Sequence, residues 1–386
     1  MAMKQAALPG PAGKPERNLG IDALRVVSML LIVVLHVFTR GGAAEQTGGL
    51  TTARGIAAFP LRTLCMSAVD VYALISGYVM ISGRYRTARL FELWLQVFSI
   101  GVVGCLIERF VLRMPVRTEV WLQAFFPVTL WEYWYFSSYV GLFCLIPVLN
   151  RGLRAMNRRT LLILMTVLFS VFSGLGILSR VGKHDSFQLI SGYSPLWLVV
   201  LYVIGACVKR TDLWRETAAW KLWLTVLVCV AACMGLYALL TLPRFPDELL
   251  KRSWFDPDRW RVFVLNYVDP LIVVISVCLL ALFSRFRPGK GLSAVVRLLS
   301  PLTFGIFLIH VHDSSWTLLQ GRFQWIGQMR ARYIIPTALG VGLAIFLACG
   351  VMEWIRAQVF RLLRVRRLCE GLEAALRRFF RKRLKE

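Results

Sequence analysis

Asp22, Arg25 and His36 are the residues of this 386-residue chain whose types and spacing first point to chemistry. The ten residues between Arg25 and His36, Val26 to Leu35, are apolar except for Ser28. On a helix, eleven steps of about 100° return His36 to within roughly 20° of Arg25, about 16 Å further along the axis. Asp22, three residues before Arg25, falls on the same stripe. In lipid each central charge costs about 2.5–3.5 kcal/mol on insertion scales, so an acid, a guanidinium and an imidazole on one apolar face need an explanation. The imidazole suits general-base work near neutral pH. A histidine in an apolar helix is more often a packed residue than a catalyst, and Arg25 could snorkel to the inner helix end and pair with Asp22. The alignment of all three favours a cavity-lining site.

Four further groups carry a functional and a plain reading side by side. Asp70 is a second acid in an apolar run that ends Ile75-Ser76-Gly77-Tyr78. Read as helix packing, Ser-Gly is an ordinary small-residue contact. Arg86 and Arg89 stand at i, i+3 just beyond, which on one helical turn makes a two-guanidinium claw suited to phosphates. The plain alternative is a loop kept positive for topology, and the residues alone favour it. His310 lies in another apolar run, Ser300 to Leu319, where it could face the same cavity as His36 or bond a neighbouring backbone group. Trp131, Tyr133 and Trp134 could stack on a sugar ring, although an interfacial aromatic belt accounts for them as well.

The elements that must position these residues are membrane helices. The chain is 57% hydrophobic, with a mean hydropathy of +0.62, which places the membrane class before any soluble one. The net charge of +25 would suit nucleic acid, but the basic residues sit in short loops between apolar runs and near the C-terminus. That is the pattern of membrane topology. The nine cysteines fall mostly inside apolar runs without ligand spacing and read as packing residues, so no metal is implied.

Runs of about 20 mainly apolar residues span a bilayer. Ten are expected, at about 21–39, 62–82, 90–111, 134–149, 160–179, 194–208, 221–242, 262–284, 300–319 and 334–354. The fold is therefore an all-α polytopic membrane protein, since lipid offers backbone groups no other partner and no alternating barrel pattern is present. With the N-terminus inside, 29 of the 46 Lys and Arg lie on the cytoplasmic side against 15 outside, placing both termini in the cytoplasm. The expected organisation is a cytoplasmic tail at 1–20, a membrane domain at 21–355 and a basic tail at 356–386. That last segment reads as an amphipathic helix on the anionic inner leaflet, an anchor rather than a catalytic part. The polar first twenty residues do not read as a cleavable signal peptide. The outward loops are short except 112–133 and 243–261.

Taken together, these pieces resemble the acyltransferase-3 family of integral membrane O-acyltransferases. The matches are Ile21-Asp22-x-Leu24-Arg25 with ten residues to His36, Ile75-Ser76-Gly77-Tyr78, Arg86-x-x-Arg89, Trp134-Tyr135-Phe136 and Phe304-Gly305-Ile306-Phe307-Leu308-Ile309-His310. Each motif is degenerate, but their order over most of the chain is specific. The chain is most similar to the stand-alone, ten-helix bacterial type, such as the enterobacterial common antigen O-acetyltransferases. Tyr78 is a departure, since many members carry Phe after Ser-Gly.

The resemblance implies a multi-pass protein of the bacterial inner membrane. It implies an acyl-CoA co-substrate, most simply acetyl-CoA, with no permanently bound cofactor, and an acceptor hydroxyl on a cell-surface glycan or lipid-linked sugar. It implies that His36 is the catalytic base with Arg25 as its partner and Asp22 beside it, and that Arg86 and Arg89 bind the donor phosphates or hold the inner gate, with Ser76 and Tyr78 near the donor. Asp70, Trp134 and His310 remain candidates for the cavity or the acceptor. The alternative from another class is a transporter or flippase of a lipid-linked sugar, with the polar stripe lining its pathway.

Overall fold

A computed structural model describes residues 17–130, 133–181, 184–241 and 265–383. Most of the expected N-terminal tail, the 243–261 loop and Trp131 therefore lie outside the described residues. Ten apolar helices follow in chain order: α1 (Leu19–Phe38), α2 (Ala53–Met80), α3 (Thr87–Val111), α4 (Trp134–Ala155), α5 (Arg158–Leu178), α6 (Pro195–Thr211), α7 (Ala219–Leu239), α8 (Pro270–Arg285), α9 (Lys290–Val311) and α10 (Ala331–Leu362). Eight are long and apolar enough to cross a membrane, while α6 and α8 are shorter, with 17 and 16 residues. The protein is an all-α polytopic membrane protein, with no strand among the described residues.

Two helices depart from the hydropathy reading, each for a local reason. The run at 300–319 is broken at His312, whose ψ of 145° is extended, and a separate short helix, Asp313–Leu319, follows. The crossing helix instead starts upstream: Lys290–Leu299 passes through one 3-10 turn, Ser300–Leu302, into Thr303–Val311. Lys290, Ser293 and Arg297 interrupt that first half, yet the helix as a whole is apolar enough to cross a membrane. In the run at 262–284, the described residues 265–269 are not helical and the helix starts at Pro270. There Asp269 caps the helix by accepting from the Leu271 amide at 2.8 Å, and a proline fills the first turn, where its missing N–H costs nothing.

α1 is held at its start by Asn18, whose side-chain oxygen accepts from the amides of Gly20 and Ile21 at 3.0 and 3.2 Å. Its Nδ2 donates to the Ser284 carbonyl at 2.8 Å, tying α1 to the end of α8. α2 packs against α6 through two glycines. A Cβ on Gly77 would stand 1.8 Å from the Tyr202 carbonyl oxygen, and one on Gly205 would stand 2.1 Å from the Leu74 oxygen. Gly77 of the Ser-Gly pair thus makes a close helix approach. Deeper in the same interface, Trp197 Nε1 donates to Asp70 Oδ1 at 3.2 Å, with both side chains buried.

A last helix, α11 (Val365–Arg383), lies across the start of α3. Val365 and Cys369 pack on Ala88, and the Glu373 carboxylate accepts from the Thr87 and Ala88 amides, both at 3.3 Å. Arg17, the first described residue, reaches Asp22 and lines one cavity with Arg89, two residues beyond Thr87. The described ends of the chain therefore lie at the same end of the bundle, as an even number of crossings requires.

Candidate functional site

Two cavities lie at the two ends of α1. The first, of about 300 Å³, opens at the end that carries both described ends of the chain and is lined by Arg17, Arg25 and Arg89 together with Tyr72, Ser76, Gln96, Tyr135 and Tyr139. Asp22 anchors it from beneath. Its Oδ1 accepts from Arg25 Nη1 at 3.0 Å and from the Ser300 hydroxyl at 3.1 Å, and its Oδ2 pairs with Arg17. Two guanidinium groups thus meet one carboxylate and a third, that of Arg89, lines the same cavity, leaving positive charge and forked donors for an anion. Tyr72 donates its hydroxyl to the Arg25 carbonyl at 2.9 Å and fixes the first turns of α1 against α2.

The second cavity, of about 410 Å³, holds His36 among Tyr133, Trp134, Tyr193, Tyr267 and Trp316, with Arg117, Gln123 and Asp313 adding polar groups. The Trp134 ring lies 4.5 Å from Tyr193 and 6.2 Å from Tyr267, so three rings make one wall. Such a surface has the chemistry to stack on an apolar ring face while side groups fix its hydroxyls. Trp316 meets His36 edge-on at 4.7 Å.

The cavities are back to back. α1 gives Arg25 to one and His36 to the other, α4 gives Tyr135 and Trp134, and α9 gives Phe304 and Phe307. Between them Tyr135 and Phe307 face each other with ring centres 6.0 Å apart. The stripe recognised on α1 is real, but its two ends serve different compartments separated by a layer of aromatic rings.

His310 is buried beside His36 but is not among the residues lining either cavity; of its two expected roles, the bond to a neighbouring backbone group is the one found. Its Nδ1 lies 2.8 Å from the Ile306 carbonyl oxygen of its own helix, and its Nε2 lies 2.9 Å from His36 Nδ1. Its position near the end of α9, not midway, brings it level with His36 near the end of α1.

Other sequence candidates separate. Arg86 and Arg89 diverge: Arg89 lines the first cavity, while Arg86 Nη2 turns to Glu370 of α11 at 2.6 Å. The claw expected from their spacing does not form, because Arg86 is the residue preceding α3 and its backbone is extended. Hydrogen bonds from Arg86 and Arg366 hold the Glu370 carboxyl below its usual range, and Glu370 in turn raises Arg86. Ser76 lines the first cavity while its hydroxyl donates to the Tyr72 carbonyl at 3.0 Å. Tyr78 lies elsewhere, with Lys209 Nζ 4.8 Å from its ring centre. Asp70 lines neither cavity and serves the α2–α6 interface. Arg17, Tyr135, Tyr139, Tyr193, Tyr267 and Trp316 went unrecognised, since singly they look like tail charge or interfacial aromatics. Among the described residues no group of three or more His, Cys, Asp and Glu comes together.

A family model described as an acyltransferase domain, acyltransferase-3, matches residues 18–354, from the cap of α1 into α10. The chain belongs to the acyltransferase-3 family. It is therefore a membrane acyltransferase, and apart from Arg17 every residue lining the two cavities lies within the matched region. No curated protein and no solved structure matches it. Family membership favours catalysis over the transport reading.

Proposed function

We propose that this acyltransferase moves an acyl group, most simply acetyl, from acyl-CoA at the arginine-lined cavity to a sugar hydroxyl in the aromatic cavity, with His36 as general base. The observation that carries the reading is the placement of Arg25 and His36 at opposite ends of one helix, in two cavities parted by a layer of rings. Arg25 and Arg89 bind donor phosphates, and Asp22 holds Arg25 in place. The thioester arm of the donor is long and narrow, a shape suited to passing between Tyr135 and Phe307 toward His36. His36 takes the hydroxyl proton, the sugar oxygen attacks the thioester carbonyl, the C–S bond breaks, and the proton passes to the departing thiolate. Alignment of both substrates in a water-poor site supplies much of the rate.

The basic end faces the cytoplasm by the positive-inside rule, so the acceptor approaches from the opposite face, as a glycan or lipid-linked sugar of a bacterial inner membrane does. The test is transfer of labelled acetyl from acetyl-CoA into the glycan fraction, using membranes with wild-type chain or His36→Ala at matched abundance. Label lost in the variant supports the reading. Equal label discards His36 as base, and no label from acetyl-CoA or a longer acyl-CoA returns the transport reading to the front.

A further inference from the structure

We infer that His310 is a positioning residue that fixes which nitrogen of His36 carries the proton, leaving His36 Nε2 bare toward the aromatic cavity. The inference rests on the proposed role of His36 as base and adds the device that makes it one.

The chain of reasoning starts at a backbone carbonyl. The Ile306 oxygen can only accept, so at 2.8 Å His310 Nδ1 must carry a hydrogen and donate it. A neutral imidazole has one N–H, which leaves His310 Nε2 as an acceptor. That atom lies 2.9 Å from His36 Nδ1. Two lone pairs at that separation repel, so His36 Nδ1 carries its hydrogen and donates it to His310. His36 Nε2 is then the atom without a hydrogen. The other arrangement, with His36 protonated at Nε2, requires a second proton on His310. His310 is 1% exposed and its two ring nitrogens face a carbonyl and another histidine. A buried charge without a counter-ion is costly there.

Packing keeps the pair in register. Phe307 stands edge-on to His310 at 6.0 Å and Trp316 edge-on to His36 at 4.7 Å, so both rings are confined. The contact also changes strength at the right moment. When His36 takes the hydroxyl proton on Nε2 it becomes an imidazolium, and its Nδ1–H bond to His310 becomes charge-assisted. An interaction stronger after proton transfer than before lowers the barrier to that transfer. His310 takes no proton, and the proton on His36 leaves with the thiolate. A neutral orienting partner also avoids placing a carboxylate beside the base at this depth.

The chain has only four histidines, so ring-¹⁵N-histidine labelling of the full protein in lipid nanodiscs gives a readable NMR spectrum. The His36 signals are assigned by their loss in His36→Gln. The expected result is a neutral His36 protonated at Nδ1 with a bare Nε2. In His310→Leu the tautomers mix and kcat falls about 10²-fold, with the KM for acetyl-CoA unchanged. In His310→Gln, whose carbonyl oxygen can again accept from His36 Nδ1, the tautomer and part of the lost kcat return. Wild-type His36 protonated at Nε2 overturns the inference, and this spectrum needs no variant to fold. A His36→Gln enzyme of undiminished kcat overturns instead the base reading beneath it, so the two failures are distinguishable.

Discussion

At the scale of single residues, the two arginines that share a motif have parted company. Arg89 opens into the cavity with Arg25 and Arg17, whereas Arg86 is engaged by Glu370. A hydrogen bond to a charged group is worth about 1.5–3 kcal/mol. Arg89→Gln is therefore expected to raise the KM for acetyl-CoA roughly tenfold or more while changing kcat little. Arg86→Gln is expected to move that KM much less and to loosen α11. Initial rates against donor concentration for both variants check this, and equal effects on KM would show that both arginines reach the donor. Arg25→Lys keeps the charge but loses the fork that meets Asp22 at 3.0 Å while still facing the cavity. It is expected to raise the donor KM as well, and unchanged kinetics would remove Arg25 from the donor site.

At the scale of elements, the site depends on how closely α2 and α6 approach. A methyl on Gly77 would meet backbone at 1.8 Å, and backbone cannot rotate aside as a side chain can. Overpacking costs about 1–3 kcal/mol, so Gly77→Ala is expected to lower thermal stability in detergent clearly. Gly152→Ala in α4, where nothing lies within 4 Å of the added methyl, should be neutral or slightly stabilising. Equal melting temperatures for the two variants would refute the close-approach reading.

The same elements show what the sequence could tell. Hydropathy located ten helices because lipid enforces apolar length on each one separately. The stripe of Asp22, Arg25 and His36 was legible because helical spacing is local. The partition of that stripe between two cavities was not, since it depends on Tyr135 of α4 meeting Phe307 of α9. Nor could spacing pair His36 with His310, 274 residues apart. The start of α9 was misplaced because the apolar run continues past the break at His312, and the divergence of Arg86 from Arg89 follows from the extended backbone of Arg86 and from a tail helix that spacing alone cannot dock.

At the scale of the whole molecule, α11 fastens the last described residues to the face where the arginine-lined cavity opens. Its apolar arc is divided: Val365 and Cys369 pack against the body of the protein, while Leu368 and Leu372 are exposed beside the arginines of the same helix. A basic helix with an uncovered apolar flank suits the anionic inner leaflet, so α11 is placed to contact protein on one side and lipid on the other. What holds it to the protein includes carboxylates, which gives docking a pH dependence of definite sign. Glu370 is held below its ordinary value of about 4.3 by hydrogen bonds from Arg86 and Arg366. A group whose docked value is depressed contributes fully above its free value and stops contributing as pH falls through the docked one. Docking is therefore complete at neutral pH and weakens only in acid, below about pH 4. Hydrogen exchange over residues 365–383 in proteoliposomes, corrected for the intrinsic rate at each pH, measures it. The wild type should show protected amides at pH 7 and loss of that protection in acid, and Glu370→Gln should show reduced protection at pH 7 with a shallower response to acid. An unchanged profile in Glu370→Gln would mean that the Glu373 contacts to the α3 amides and the apolar packing hold α11 without the Arg86–Glu370 pair.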